Sequence, residues 1–280
     1  MSQSLLENKR DPFRPVKVLG SFVMALLFIF PIVWMIFVSL KPEGTAALSP
    51  IEWFLPPYTF TNYIDVTLGS DIFLWIWNSF FIGVVTTFLT LVITSMAAFA
   101  ISKMRFRYRK ALFLFFIAGL MVPGEAMIIP LYEIIGSMGL LDTYAGLILP
   151  GIAAPLGVII LKSFFDGVPD ELIESAKLDG CNDFRLYWNV VLPLAKSALA
   201  AVGILTFIAS WNNFLWPFLA IISESLYTLP VGIPMFNSNY SETYILPMTV
   251  NAIASLPVII AFLFFEKQIV KGVSFSGIKG

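Results

Sequence analysis

Six separate stretches of this chain are apolar over the length that a helix needs to cross a bilayer, and this repetition constrains the fold more than any other feature. They cover about residues 16–40, 72–101, 111–135, 144–161, 197–222 and 245–265. A hydrocarbon core about 30 Å thick takes roughly 20 apolar residues of helix. None of the six alternates polar and apolar residues as a barrel strand would, so the spans are read as helices. Composition agrees: charged residues are 12% and mean hydropathy is +0.86, whereas a soluble domain carries about 25% charge. The fold class expected is an all-α membrane protein with six transmembrane helices. Pro31, Pro123, Pro130, Pro150, Pro155, Pro217 and Pro257 fall within these stretches. Neighbouring helices can re-satisfy the backbone groups a proline frees, so kinks around a cavity are expected. The first stretch is too long for a cleavable signal core, and Ser39-Leu40-Lys41-Pro42 is no small-residue cleavage site.

The basic residues orient the bundle. Lys9, Arg10, Arg14 and Lys17 precede the first stretch. Lys103, Arg105, Arg107, Arg109 and Lys110 follow the second. Lys162, Lys177, Arg185 and Lys196 separate the fourth from the fifth, and Lys267, Lys271 and Lys279 follow the sixth. Of the 17 basic residues, Lys41 alone falls in the alternate loops. Both termini and the second and fourth loops are therefore expected in the cytoplasm. The expected organisation is an N-terminal segment 1–15, a membrane domain 16–266 and a tail 267–280, with no internal repeat.

The residues that are missing exclude much chemistry. There is no histidine, and Cys181 is the single cysteine. A disulfide framework, an ordinary zinc site and a histidine-based triad are ruled out. The net charge of −1 gives nucleic acid no electrostatic footprint. No G-x-x-x-x-G-K-[ST] phosphate loop occurs. Any ATP hydrolysis linked to this chain must take place on another polypeptide.

Residues 165–196 are long for a loop in a compact bundle and read as structured. Pro169 and Asp170 mark a helix start, with Glu171 and Glu174 in the first turns to favour the helix dipole. Leu172, Ile173 and Ala176 share a face with Gly180 one turn later. A stop is expected near residues 180–182, then a short amphipathic run 184–192 leading to Pro193. On periodicity alone, an amphipathic helix lying on lipid headgroups is an adequate reading.

The residues spell something narrower. Glu174-Ser175-Ala176, three residues, Gly180, nine residues, Val190, one residue and Leu192-Pro193 resemble the E-A-A, x3, G, x9, I-x-L-P signature of bacterial ABC importer permeases. Every gap length matches; Ser175 and Val190 are small departures. Residues 53–63, Asn78-Ser79, residues 122–131, residues 211–217 and the tail 272–280 extend the resemblance. They are similar to the carbohydrate branch of that family, the subunits like the maltose permease G protein, and most of all to permeases for arabinose- or lactose-type oligosaccharides. The resemblance implies a type I importer permease fold with a cytoplasmic coupling helix between helices four and five. It implies that Glu174, Ser175, Ala176, Asp179, Gly180, Leu192 and Pro193 dock an ATPase. It implies a second, related permease, a sugar-binding protein outside the cell, ATP and magnesium bound by the partner subunits rather than here, and a bacterial inner membrane.

For the substrate path, polar residues deep in the apolar stretches are the candidates: Asn78, Glu125, Asn212, Asn213 and Asn251, with Trp211 and Trp216 able to stack on a sugar ring. Amides and a carboxylate supply the donors and acceptors that sugar hydroxyls need. The plainer alternative is that such asparagines bond across helices, for about 0.6 kcal/mol each. Three other functions compete: a secondary transporter, a membrane enzyme, and an importer permease for a non-sugar solute. The first lacks an inverted repeat or an intramembrane charge relay. The second lacks a catalytic cluster. The third is disfavoured for phosphate, because the cores of helices two to six carry no lysine or arginine.

Overall fold

The computed structural model describes residues 13–45, 51–236 and 244–275, so Lys9, Arg10 and Lys279 lie outside the described residues. Its regular structure is helical, with no strand among the described residues. In chain order the helices are α1 (Arg14–Ser39), α2 (Thr61–Gly69), α3 (Ile72–Lys103), α4 (Arg109–Leu120), α5 (Ile128–Ser137), α6 (Tyr144–Ile152) and α7 (Pro155–Asp166). They continue as α8 (Asp170–Leu178), α9 (Asp183–Leu186), α10 (Leu192–Leu194), α11 (Lys196–Trp211), α12 (Leu215–Ala220), α13 (Leu229–Gly232) and α14 (Ile245–Phe275).

The chain forms two compact units. One holds the described residues up to Ser70 with Phe236–Ile253; the other holds Asp71–Met235 and the chain from Ala254 onward. In the first unit, the final carbonyls of α1 have no partners within their own helix. Asn62 Nδ2 donates to Ser39 O at 2.9 Å and Lys41 O at 2.6 Å, and Thr249 Oγ1 donates to Ser39 O. Phe37 packs edge-on against Phe54, and Trp34 against Trp53. Lys41, the cation that breaks the charge pattern, is buried; it donates to Leu55 O and lies over the Tyr58 ring.

The second unit is organised around α3, which runs unbroken for 32 residues. Thr86, Thr90 and Thr94 recur every fourth residue, which places them on one helix face, and all three are buried. Small residues of the neighbouring helices meet that face. A Cβ on Gly151 would come within 2.8 Å of Thr86 Cγ2, and one on Gly157 within 3.2 Å of both Thr94 Cγ2 and Val202 Cγ1. Close approach at small residues is how membrane helices gain packing energy when lipid supplies no hydrophobic drive.

The third, fourth and fifth apolar stretches are broken, not gently kinked. α4 and the chain from Gly124 meet at 95°, α6 and α7 at 43°, and Asp183–Leu194 meets α11 at 80°. Proline explains two of these. The residue before a proline is pushed out of the helical region, and Ala154, before Pro155, sits at φ −117°, ψ 79°. Pro155 then opens α7, where its missing N–H costs nothing. Pro123, at ψ 133°, separates α4 from the short turn Gly124–Met127. Two helices, α1 and α3, are long and apolar enough to cross a membrane alone; three more spans appear if each bent pair counts as one. Ile245–Ile260, within α14, forms a shorter apolar helix. The fifth stretch is cut at residues 212–214, so α11 ends at Trp211.

Candidate functional site

The segment after α7 folds as two short helices packed back onto the bundle. α8 begins after Pro169, carries Asp170 and Glu171 in its first turn and Lys177 in its last, and so complements its dipole at both ends. It ends on Gly180, at φ +82°. Gly180 N–H donates to Lys177 O and Cys181 N–H to Ala176 O, both at 3.0 Å. This is the paired closure that a left-handed glycine makes possible at a helix C-terminus. Open space surrounds the position of a Gly180 Cβ. Backbone conformation, not the close approach of a neighbour, is therefore what calls for glycine here.

Ile173 and Ala176 are buried together with Phe165, Val168, Leu186, Tyr187 and Val191 against Phe99 and Ile101 at the end of α3. Tyr187 Oη and Ser95 Oγ are 2.8 Å apart. Leu172, expected on that face, is exposed instead. The apolar face that might have lain on lipid is thus satisfied inside the chain. Glu174, Ser175, Asp179, Gly180 and Pro193 are exposed, Ala176 is buried and Leu192 half-buried. Leu178, outside the signature, is 90% exposed. The outward surface of α8 is acidic, with Leu178 as an apolar point.

Sequence reasoning missed what fastens this segment. Lys103 Nζ donates to Val168 O at 2.7 Å and to Asp170 Oδ1 at 2.8 Å. That hydrogen bond and the Lys103 charge, with Arg105 nearby, hold the Asp170 carboxyl below its usual range. Ser102 Oγ donates to Asp166 Oδ1, and Lys162 Nζ donates to Asp166 Oδ2. Lys103, read from sequence as one cation of an orientation run, is a structural tie.

The second feature is a cavity of about 500 Å³, within the range of small-molecule pockets. It forms where the broken helices meet: Glu125 from the turn after Pro123, Gly151 and Ala154 from the α6–α7 break, and Asn213 and Trp216 from the α11–α12 break. Discontinuous helices free polar groups that line a path. Thr86, Thr206 and Ser210 add hydroxyls. Thr86 Oγ1 is buried and has no hydrogen-bond partner among the described residues.

Of the seven path candidates, the cavity brings together Glu125, Asn213 and Trp216. Trp216 Nε1 donates to Gly146 O at 3.1 Å, which fixes the ring. The other four lie elsewhere. Asn78 is fully buried and saturated: Nδ2 donates to Ser225 O and Tyr227 O, both at 2.9 Å, and Oδ1 accepts from Tyr144 Oη at 2.7 Å. Trp211 is buried against Phe207. Asn212 Nδ2 donates back to Ile208 O. Asn251, in the first unit, donates to Pro247 O at 2.7 Å. Of these asparagines Asn78 alone bonds to other segments of the chain; Asn212 and Asn251 each bond the carbonyl four residues back in their own stretch. The hydroxyls Thr86, Thr206 and Ser210 carried no signal of their own; the four-residue threonine period on α3 was the one clue to Thr86.

Near Asn78 the chain is tied again. Asp142, a non-glycine residue at φ 57°, accepts from Ile222 N–H and Ser223 N–H at 2.9 Å each, and from Ser223 Oγ. Those three hydrogen bonds, the Ser223 hydroxyl first, hold its carboxyl below the usual range.

Comparison with known proteins agrees with this architecture. Residues 90–275 match the family described as binding-protein-dependent transport system inner membrane component. The chain is 35% identical to the arabinooligosaccharides transport system permease protein AraQ of Bacillus subtilis, with 96% of each chain covered. It is 32% identical to the trehalose/maltose transport system permease protein MalG of Thermococcus litoralis, covering 95% of this chain and 97% of that protein. A crystal structure of a bacterial ABC transporter involved in the import of the acidic polysaccharide alginate contains a chain that superposes with TM-score 0.78 at 25% identity, over 91% of this chain and 95% of that one. The chain accordingly belongs to the binding-protein-dependent transport system inner membrane components, the multi-pass permease subunits of ABC importers, which do not themselves hydrolyse ATP.

Proposed function

We propose that this chain is one of two permease subunits of an ATP-driven importer for a neutral oligosaccharide. The observation that carries the reading is the exposed acidic face of α8, closed by Gly180 and anchored on α3. It receives an ATPase subunit through Glu174, Ser175, Asp179, Gly180 and Pro193, with half-buried Leu192 beside them, while buried Ala176 packs α8 onto α3. Oligosaccharide as substrate is supported by the names of the relatives at 35% and 32% identity. The cavity chemistry also supports it, because Glu125, Asn213, Ser210 and Thr206 suit sugar hydroxyls.

In this reading both termini face the cytoplasm, following the basic loops. ATP draws two ATPase subunits together, α8 moves with them, and the bundle alternates between inward- and outward-facing states. A binding protein delivers the sugar from outside, and a second, related permease completes the path. The test is to purify the tagged chain from native membranes in mild detergent. Recovery of an ABC ATPase and a second permease is expected, with the ATPase lost in Glu174→Ala. Recovery of the chain alone, or an ATPase indifferent to position 174, would contradict the docking.

A further inference from the structure

Within the second unit, α3 is tied by side chains near both of its ends. At its C-terminal end, Lys103 (side chain 6% exposed) bridges Val168 O and Asp170, the residues through which the chain enters α8. Ser102 and Lys162 share Asp166 just before them. Toward the other end, Asn78 holds the carbonyls of Ser225 and Tyr227, and Ser79 Oγ accepts from Leu229 N–H at 2.8 Å. α3 is continuous over its 32 residues, so the two ties, from Asn78 to Lys103, are joined by unbroken helix about 38 Å long at 1.5 Å per residue. Its threonine face is in close contact with glycines of α6 and α7. The spans beside it are bent by 43° and 95° at their breaks. A close-packed, unbroken helix transmits a displacement instead of absorbing it.

We infer that α3 is the rod that carries motion of α8 to the loop 223–229, with Lys103 as its inner joint and Asn78 as its outer joint. This rests on the coupling reading above. Both are positioning residues: neither touches nucleotide or sugar. Lys103 suits the task because it holds a backbone carbonyl and a carboxylate together, so α8 cannot shift without pulling on α3. Asn78 suits it because its three hydrogen bonds bind one side chain to two carbonyls of the loop and to α6 through Tyr144.

The test uses the complete importer in proteoliposomes, with its ATPase, second permease and binding protein. Sugar uptake per ATP hydrolysed is measured for Lys103→Met and Lys103→Arg. In parallel, a cysteine placed at exposed Glu224, in a Cys181→Ser background, is reacted with a water-soluble maleimide with and without ATP. Lys103→Met should keep ATP hydrolysis and lose roughly tenfold or more of its uptake per ATP. The ATP-dependent change in labelling at position 224 should disappear with it. Lys103→Arg, which keeps the donors, should restore both, and Asp170→Asn should lower uptake per ATP in the same direction. Parental uptake per ATP in Lys103→Met overturns the rod. So does loss of the ATPase subunit from that variant, which would make Lys103 a docking residue. Should the parental complex itself show no ATP-dependent uptake, the coupling reading fails first and the rod with it.

Discussion

At Gly180 the backbone dictates the residue. At φ +82° an L side chain is strained, and for a β-branched one the penalty is on the order of 1–3 kcal/mol. Gly180→Val is expected to unwind the last turn of α8 and release the ATPase, while Gly180→Asn, which tolerates that conformation, retains most of it. Recovery of the ATPase with each variant checks this. Asn78 makes a different claim. Asn78→Leu leaves two carbonyls and a tyrosine hydroxyl without their partner, at a cost of about 1–3 kcal/mol for a buried group, so thermal unfolding in detergent should occur earlier. Asp142 adds a pH dependence. Its folded carboxyl lies below the unfolded value, so its stabilisation is full above the unfolded value and is lost as pH falls through the folded one. Asp142→Asn should flatten the acid limb of stability against pH; an unchanged limb would place that acid sensitivity elsewhere. The spacing from Glu174 to Pro193 was legible because it is a linear pattern. The saturation of Asn78 was not, because its partners lie 66 to 149 positions along the chain.

Among the elements, hydropathy located the apolar stretches, since crossing a bilayer is a matter of composition over some 20 residues. It could not see that the third and fourth turn by 95° and 43°, or that the fifth is interrupted at residues 212–214. Pro123 and Pro155 were legible as kinks, but not as the corners where Glu125, Ala154 and Asn213 converge on one cavity. Pro31 lies inside α1 and Pro257 inside α14 without ending either helix, so a proline alone does not predict a break. The packing of α3 against its neighbours sets a second expectation. Gly157→Leu drives a side chain between Thr94 and Val202, where overpacking costs typically 1–3 kcal/mol. A lower unfolding temperature and reduced yield from membranes should follow, whereas Gly20→Leu, with open space around it, should have little effect. The same substitution tolerated equally at both positions would contradict the close packing.

On the scale of the whole molecule, the chain combines the exposed acidic helix α8 with a bundle whose cavity is largely apolar and carries a few polar groups, Glu125 and Asn213 among them. The coupling segment was legible from sequence as an amphipathic helix pair. That its apolar face would be absorbed by Phe99, Ile101 and Tyr187 depended on tertiary packing that periodicity does not encode. What remains exposed on α8 is its charged side together with Leu172 and Leu178. The central claim is that ATP hydrolysed on a separate subunit drives sugar through this chain. The most direct measurement is uptake of radiolabelled arabino- or maltooligosaccharide into proteoliposomes holding the purified complex. ATP is trapped inside or left out, the binding protein is added or withheld, and ion gradients are collapsed with ionophores. The account predicts uptake that requires both ATP and the binding protein and ignores the ionophores. Uptake that persists without ATP and collapses with the ion gradient would contradict it.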